Sequence, residues 1–354
     1  MPAKLKVAVL GLGHWYSAYG LARALRESPK AELVAVSHGH QPHLDEFTRA
    51  FSVKGYRDAG ELLAREAVDI VQIASPVSEL RDLTVLSAQA GKHMILGKPM
   101  AMTVAEAAEM VAAVEKAGVL CLPFQCHIRL RYPDLKARID RGDIGRILLL
   151  HQTSRWSIAE DWINSGTPGW FADPKHVPGG ALIDEGIYWV DFFRWITGSD
   201  VADVEARIAN ILHPNLQVED WGLATFTMTN GVVATLEGAW TIVSPQVTAP
   251  SPKQNAVVRI EIVGDRGEIS DQFFRVPGRS VLAAGAKDWV FERQTDLGPS
   301  PFDHLVDCLE KGVQTIGTIQ DAYASFLPAM AAYESARRGQ KVVIRNSEFR
   351  IQNS

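Results

Sequence analysis

Hydrophobic and polar positions change their rhythm after Phe124. Before it, short runs that are apolar throughout alternate with stretches of helical spacing. The runs are Lys6–Leu10 (KVAVL), Leu33–Ser37 (LVAVS), Asp69–Ala74 (DIVQIA) and His93–Leu96 (HMIL). Strands that are apolar on both faces and separated by helices predict a parallel sheet covered on both sides. The first strand leads through a glycine turn into a helix reaching about Glu27. Thr103-Val-Ala-Glu106 is a capping box whose helix ends near Gly118. Val119–Phe124 (VLCLPF) predicts one more strand.

From Ile147 the strands lengthen and alternate: Ile147–Trp156, Val204–Leu212, Trp221–Thr229, Val232–Trp240, Val257–Val263 and Gly267–Val276. Asn230-Gly231 is a hairpin turn, because both residues tolerate positive φ. Helices are predicted at Ile187–Thr197, Phe302–Gly312 and Gln320–Arg338, and Ser244–Lys253 reads as a Pro- and Ser-containing loop. No internal repeat or low-complexity tract is visible. The pattern predicts an α/β domain over residues 1–123 and an α+β domain over 124–354. The second has a large, mainly antiparallel open sheet with helices on one face.

Composition narrows the function classes. The 354 residues are about twice the ~150 expected of one domain. Hydrophobic residues at 47% and charged residues at 22% exclude a disordered or fibrous chain. Thirty-six Lys+Arg against 41 Asp+Glu give a net charge of −5 without a basic block, so a phosphate-neutralising nucleic-acid binder is not expected. Cys121, Cys126 and Cys308 are too few for a disulfide framework and point to a reducing compartment. The uncharged run Val7–Ala22 contains Gly11, Gly13, His14 and Gly20 and is too short for a membrane span. No signal-peptide pattern opens the chain, so a cytoplasmic protein without a membrane partner is expected.

The first candidate chemistry is Gly11-Leu12-Gly13-His14-Trp15-Tyr16, directly after the first strand. In a dinucleotide-binding loop the first glycine allows the tight turn and the second lets the backbone approach a pyrophosphate. The helix N-terminus supplies N–H groups and positive dipole. His14 and Trp15 are expected to touch the cofactor. Tyr16 replaces the usual third Gly or Ala, which predicts looser or shifted helix–strand packing. The acid that binds a ribose 2′-OH belongs at the end of the second strand, about 20 residues on. That place reads Ser37-His38-Gly39-His40. Without the carboxylate a 2′-phosphate is not repelled, and Ser37 and His38 can donate to it, so NADP is slightly favoured over NAD.

Several blocks, in order along nearly the whole chain, resemble the Gfo/Idh/MocA family of nicotinamide-dependent oxidoreductases. Val71-Gln-Ile-Ala74-Ser75-Pro76 resembles the segment beneath the cofactor, and Ala90–Ala101 (AGKHMILGKPMA) the AGKH…EKP block. Gly179-Gly-Ala-Leu-Ile-Asp184-Glu-Gly186-Ile-Tyr188-Trp-Val-Asp191 resembles GG-x-L-x-D-x-G-x-H-x-x-D. Glu219-Asp-Trp, Glu237-Gly-Ala-Trp240 and Ala331–Gly339 resemble later elements of the family.

The resemblance implies a Rossmann domain followed by a domain whose open sheet binds substrate on one side and often a second subunit on the other. A homodimer or homotetramer is therefore expected, with the C-terminal helix packing back on the first domain. It assigns Lys98 to the reacting oxygen and the cofactor ribose, and pairs Asp184 with Tyr188. Ala74, Ser75, Pro76, Gly97 and Gln125 join the cofactor set, and Trp170 joins Lys98, Asp184 and Tyr188 at the substrate. Residues i and i+4 on a helix share a face, so Asp184 and Tyr188 can act together.

Tyr188 stands where histidine is commoner, as in tyrosine-type members of the family. A free phenol has a pKa near 10, so as a base it needs a nearby ammonium, for which Lys98 is the candidate. Hydride transfer between a substrate carbon and nicotinamide would then be joined by proton transfer through Tyr188 and polarisation by Lys98.

Other positions depart from the family pattern. Gly97 replaces the Glu of EKP, Val77 and Leu80 stand where Asn and His are common, and Gln125 replaces a frequent Asn. Phe171 follows Trp170 where some sugar reductases carry Arg. An aromatic wall with few charged clamps suits a neutral sugar, polyol or small carbonyl compound. His38/His40/His43 and Cys121/Cys126/His127 are read as structural or solvent-facing, and no metal is expected. Two other functions fit the family: a dinucleotide-binding regulator without turnover, and an NAD-dependent glycosidase.

Overall fold

The computed structural model describes residues 4–156, 169–241, 256–273, 279–284, 290–293, 299–345 and 348–351. The loop expected over Ser244–Lys253 lies outside the described residues. Contacts divide the chain into two compact units, residues 1–127 with 299–323 and residues 128–298 with 324–354. The C-terminal stretch is thus shared between the units rather than belonging wholly to the second.

The first unit is a parallel sheet of six strands in the order β3-β2-β1-β4-β5-β6. The strands are β1 (Leu5–Leu10), β2 (Ala31–Ser37), β3 (Lys54–Tyr56), β4 (Ile70–Ile73), β5 (His93–Leu96) and β6 (Cys121–Pro123). Helices α1 (Trp15–Glu27), α2 (Gln41–Phe51), α3 (Ala59–Arg65), α4 (Val77–Gln89) and α5 (Val104–Ala117) connect them. The expected capping box is present: Thr103 accepts from Glu106 N, and Gly118 closes α5 in the left-handed region at φ +65°.

Val7–Leu10 and Ile70–Ile73 are buried throughout, as central strands of a doubly covered sheet must be. Strand order reverses between β1 and β4, so the loops after these two strands open side by side, where such sheets bind ligands. A later helix, Pro301–Lys311, adds Phe302, Leu305 and Val306 to the core around Val7, Val9 and Ile70. Its Lys30 partners, Asp307 and Glu310, each lie at 2.9 Å.

The second unit starts with α6 (Ile128–Arg131) and α7 (Pro133–Asp140) and then holds a ten-stranded sheet. Its central strands are β7 (Ile147–Trp156), β8 (Val201–Ala209), β9 (Trp221–Met228), β10 (Val233–Ala239) and β11 (Ala256–Gly264). β7 pairs antiparallel with β11 but parallel with β10, because the chain crosses over through a helix and two strands before it returns as β10. The sheet is otherwise antiparallel, with Asn230-Gly231 turning β9 into β10.

That crossover helix, α8 (Ala181–Thr197), covers one face. Its Leu182, Trp189, Phe192, Phe193 and Ile196 join Leu150, Ala224, Phe226 and Leu236 in one core. α8 starts six residues before the expected Ile187, because remote groups satisfy its first N–H donors. After the Pro301–Lys311 helix, which is α9, α10 (Ile319–Arg338) runs from the first unit's residues into the second's. No described helix is long and apolar enough to cross a membrane. The three cysteines are buried free thiols.

Candidate active site

The dinucleotide loop is built by close approach of two strand ends. Gly11 N–H donates to the Ser37 carbonyl at 2.8 Å, His14 N–H to Ala74 O at 2.9 Å, and Ala74 N–H to Leu10 O at 2.8 Å. Gly11 sits at φ +84°, and a Cβ there would lie 1.8 Å from Ser75 Oγ; one at Gly13 would lie 2.5 Å from Pro76 Cδ. Both glycines are therefore required because Ser75-Pro76 presses under the loop. Leu12 turns into the core, at 5% exposure.

α1 begins at once with His14 as N-cap, but the His14 side chain makes no capping bond. Its Nδ1 pairs instead with Tyr16 Oη at 2.8 Å, and Trp15 meets Tyr16 edge-on. No acid stands in the first turn. The expected looseness at Tyr16 resolves by register: Ala18, Leu21, Ala22 and Leu25 form the buried face, and Tyr16 stays at the rim.

Lys98, 5% exposed, lines a cavity with His14, Tyr16, Gln72, Gly97 and Phe124. Gln72, on β4, is buried, and its Oε1 has no hydrogen-bond partner among the described residues. A carboxamide oxygen desolvated at a cavity wall calls for a donor. Gln72 lies in the Val71–Pro76 block that resembles the family's segment beneath the cofactor, but that block by itself assigns it no contact.

Gly97 and Leu80, two positions that depart from the family pattern, are neighbours. A Cβ at Gly97 would sit 3.3 Å from Leu80 Cδ2 and 3.2 Å from the Ile73 carbonyl. The two departures thus lie at one place, where a small residue meets a fully buried apolar one. Gln125 is wholly buried, and its amide nitrogen donates to Ala322 O at 3.2 Å. Ser37 is buried at the end of β2, and His38 follows, its N–H on Tyr56 O at 3.0 Å. Burial, then His43, His40 and Arg57, lower the His38 pKa from 6.5 to about 4.

In the second unit the start of α8 is a clasp. Glu219 accepts from Gly180 N at 2.9 Å, Leu182 N at 3.0 Å and Tyr333 Oη at 2.6 Å, and Tyr333 Oη accepts from Ile183 N at 3.1 Å. A Cβ on Gly179 would enter the Tyr333 ring, and one on Gly180 would lie 1.9 Å from the Glu219 carbonyl oxygen. The paired glycines are thus the space these partners occupy. Burial pushes the Glu219 carboxyl above its usual range, although the three donors pull the other way. Next to it, fully buried Asp220 ties Ile211, Leu212 and His213 through their N–H groups.

The clasp fixes the helix that carries Asp184 and Tyr188 one turn apart. Asp184 accepts from Trp240 Nε1 at 3.3 Å. Burial, then the Glu185 and Asp184 carboxylates, hold the Tyr188 pKa well above 10. Further along, Asp191 forms a bidentate pair with Arg129 at 2.8 and 2.7 Å and accepts from Ser325, so this motif aspartate is structural. Trp170 is partly buried and stacks on Phe171 at 3.9 Å. The His38, His40 and His43 rings adjoin one another. No group of three or more His, Cys, Asp or Glu among the described residues is arranged to hold a metal ion.

A glycine loop at a sheet's switch point, opening onto a helix start without a side-chain cap, fits a dinucleotide and defines the first unit as a nucleotide-binding fold. Residues 5–124 match a family model described as an oxidoreductase family with NAD-binding Rossmann fold, and residues 132–270 match the GFO/IDH/MocA C-terminal domain. The chain belongs to the Gfo/Idh/MocA family of NAD(P)-dependent oxidoreductases.

It is 27% identical over 353 residues, 97% of both chains, to scyllo-inositol 2-dehydrogenase (NAD(+)) of Bacillus subtilis. It is 27% identical to D-apiose dehydrogenase of Paraburkholderia graminis, covering 98% of this chain and 91% of that one. Among solved structures, it is similar to an oxidoreductase from Agrobacterium radiobacter in complex with NAD+, L-tartaric acid and magnesium. That likeness has a TM-score of 0.79 at 25% identity and covers 96% of this chain and 98% of the other.

Proposed function

We propose that the protein interconverts a hydroxyl and a carbonyl group on a neutral sugar, polyol or related small molecule, with NADP slightly favoured over NAD. The observation that carries the substrate class is the near full-length likeness to dehydrogenases of an inositol and of apiose, across both units. The cofactor preference rests on Ser37 and His38 standing where an acid would bind a 2′-OH and repel a phosphate.

In this reading the loop Gly11–Trp15, with Ala74, Ser75 and Pro76, holds the pyrophosphate, and Gly97, Lys98, Gln72 and Gln125 belong to the cofactor's surroundings. Bound nicotinamide supplies the hydride donor or acceptor. Lys98 donates to the reacting oxygen and stabilises the charge that develops there. Tyr188 moves the proton of that oxygen. A phenol kept protonated by burial and by Glu185 and Asp184 is suited to donate, so the reducing direction needs least adjustment. Asp184, held by the Trp240 indole, orients the substrate hydroxyls, and Trp170 offers an aromatic wall.

The sheet face opposite α8 carries the exposed side chains of Leu149 and Leu223 and supports a homodimer or homotetramer. The cytoplasm remains the expected compartment. Tyr188→Phe tests the chemistry: kcat should fall by about 10²–10⁴-fold while the dissociation constants for NADPH and NADH stay within about two-fold. A Phe variant of near wild-type turnover would remove Tyr188 from the mechanism. Dinucleotide binding without turnover of any sugar or polyol would favour a regulatory protein instead.

A further inference from the structure

At the carboxyl end of β2 three imidazoles crowd together. The rings of His38 and His43 are parallel within 7° at 5.6 Å, His40 lies 4.3 Å from His43, and His38 and His40 are 6.5 Å apart. His38 is partly buried, whereas His40 and His43 are exposed. The cluster directly follows Ser37, whose carbonyl holds Gly11 of the dinucleotide loop at 2.8 Å. It therefore adjoins the place where the adenosine ribose of a bound dinucleotide belongs.

The groups around it come from three elements. Arg57 approaches from the β3–α3 turn, its guanidinium 3.3 Å from Gln41 Oε1, and its charge acts on His38. On α2, Asp45 accepts from Gln41 Nε2 at 2.7 Å, and Glu46 lies one residue further on. Asp58 is engaged as the cap of α3, accepting from Glu61 N at 2.8 Å. On β3, Lys54 is neutralised by Glu66 at 2.7 Å, and Tyr56 also bonds Glu66. Glu46 shares a hydrogen bond with Tyr19, so those acids are engaged in bonds of their own, whereas the three imidazoles and Arg57 repel one another once protons arrive.

We propose that His38, His40, His43 and Arg57 form a proton-charged site for the 2′-phosphate of NADP(H), so that binding takes up protons and tightens as pH falls. This rests on the NADP reading above and adds to it the residues and their proton linkage. In the free protein, burial and the neighbouring positive groups keep His38 neutral near pH 7. A phosphate dianion among the rings reverses the sign of that interaction, since an opposite charge favours the protonated imidazole. Protonation then differs between free and bound states, and linkage makes affinity rise towards acid pH. The second phosphate pKa lies at about 6, so from pH 6.5 upward the ligand is mostly dianionic and the protons come to the protein.

The test is calorimetry of the full chain with NADPH and with NADH, at pH 6.5 and 8.5, in buffers of low and high ionisation enthalpy. NADPH affinity should rise about ten-fold from pH 8.5 to 6.5 with uptake of roughly one proton, while NADH affinity changes by less than about two-fold. In the triple variant His38→Gln/His40→Gln/His43→Gln, which removes every imidazole of the cluster, the NADPH slope with pH should collapse to that of NADH. NADPH preferred at both pH values without slope or proton uptake would overturn this inference and leave the NADP reading standing. NADH bound as tightly as NADPH at both pH values would remove the NADP reading and the inference with it. An unchanged slope in the triple variant would place the protons elsewhere and equally overturn the assignment.

Discussion

Two helices of this chain begin at paired glycines, and their N-termini are completed in opposite ways. At α1 the glycines make room for Ser75-Pro76 beneath the loop, the His14 side chain does not cap, and no acid stands in the first turn. At α8 the glycines make room for Glu219 and Tyr333, and a buried carboxylate takes two of the first N–H groups. The same partial positive charge at a helix start is used twice. The second unit answers it with its own anion and obtains a rigid platform for Asp184 and Tyr188. The first supplies no acid of its own in that turn. A glycine pair before a helix is therefore no sign of nucleotide binding until its neighbours are known.

The largest effect should come from removing the internal anion. Glu219→Ala leaves the Gly180 and Leu182 N–H groups and the Tyr333 hydroxyl without their acceptor, at about 3–5 kcal/mol in urea unfolding. A loss below about 1 kcal/mol would show that solvent or a shifted side chain replaces the carboxylate, and the contrast with α1 would weaken. Should the alanine variant not fold, Glu219→Gln keeps the shape and part of the acceptor capacity, and its loss should be smaller but of the same sign.

A smaller effect sharpens the comparison from the other side. Saturating dinucleotide, at about 100 times its dissociation constant, should raise apparent stability by about 2.7 kcal/mol. In hydrogen exchange, the protection added by ligand should fall on the dinucleotide loop and the first turn of α1. The amides of Gly180 and Leu182, already bonded to Glu219, should be protected before any ligand is added. Equal ligand-induced protection at both helix starts would contradict the assignment of one to a ligand and the other to the fold.

How much of this was legible follows the range of the interactions. The parallel first sheet, the α5 capping box and the glycine loop could be read because each depends on neighbours in sequence. The mixed sheet was readable as mainly antiparallel, but the parallel β7–β10 pair depends on a crossover that no local pattern announces. Glu219 stood out as part of a motif, yet its role as clasp could not, since 39 residues separate it from Gly180. The same holds for Asp191, whose partner Arg129 is 62 residues away. Gly97 and Leu80 looked like two independent losses. They are adjacent in space, a relation that only the packing of α4 against the end of β5 reveals.

The smallest expected effect concerns the protonation of the clasp. Burial raises the Glu219 carboxyl above 4.5 in the folded state, more than its three donors lower it. A carboxyl with a raised folded pKa binds its proton more readily in the native chain than in the unfolded one. Its contribution to stability is therefore fully present below the unfolded value, near 4.5, and is lost as pH rises through the folded value. Other carboxylates titrate in this window, so wild type must be compared with Glu219→Gln, which retains every other acid and cannot titrate here. Acidification from pH 7 to pH 5 should widen the stability gap in favour of wild type. A gap that narrows on acidification would mean that the two N–H groups and the Tyr333 hydroxyl hold Glu219 as a carboxylate throughout. The α8 start would then be closed by a full charge, as a ligand phosphate would close the start of α1.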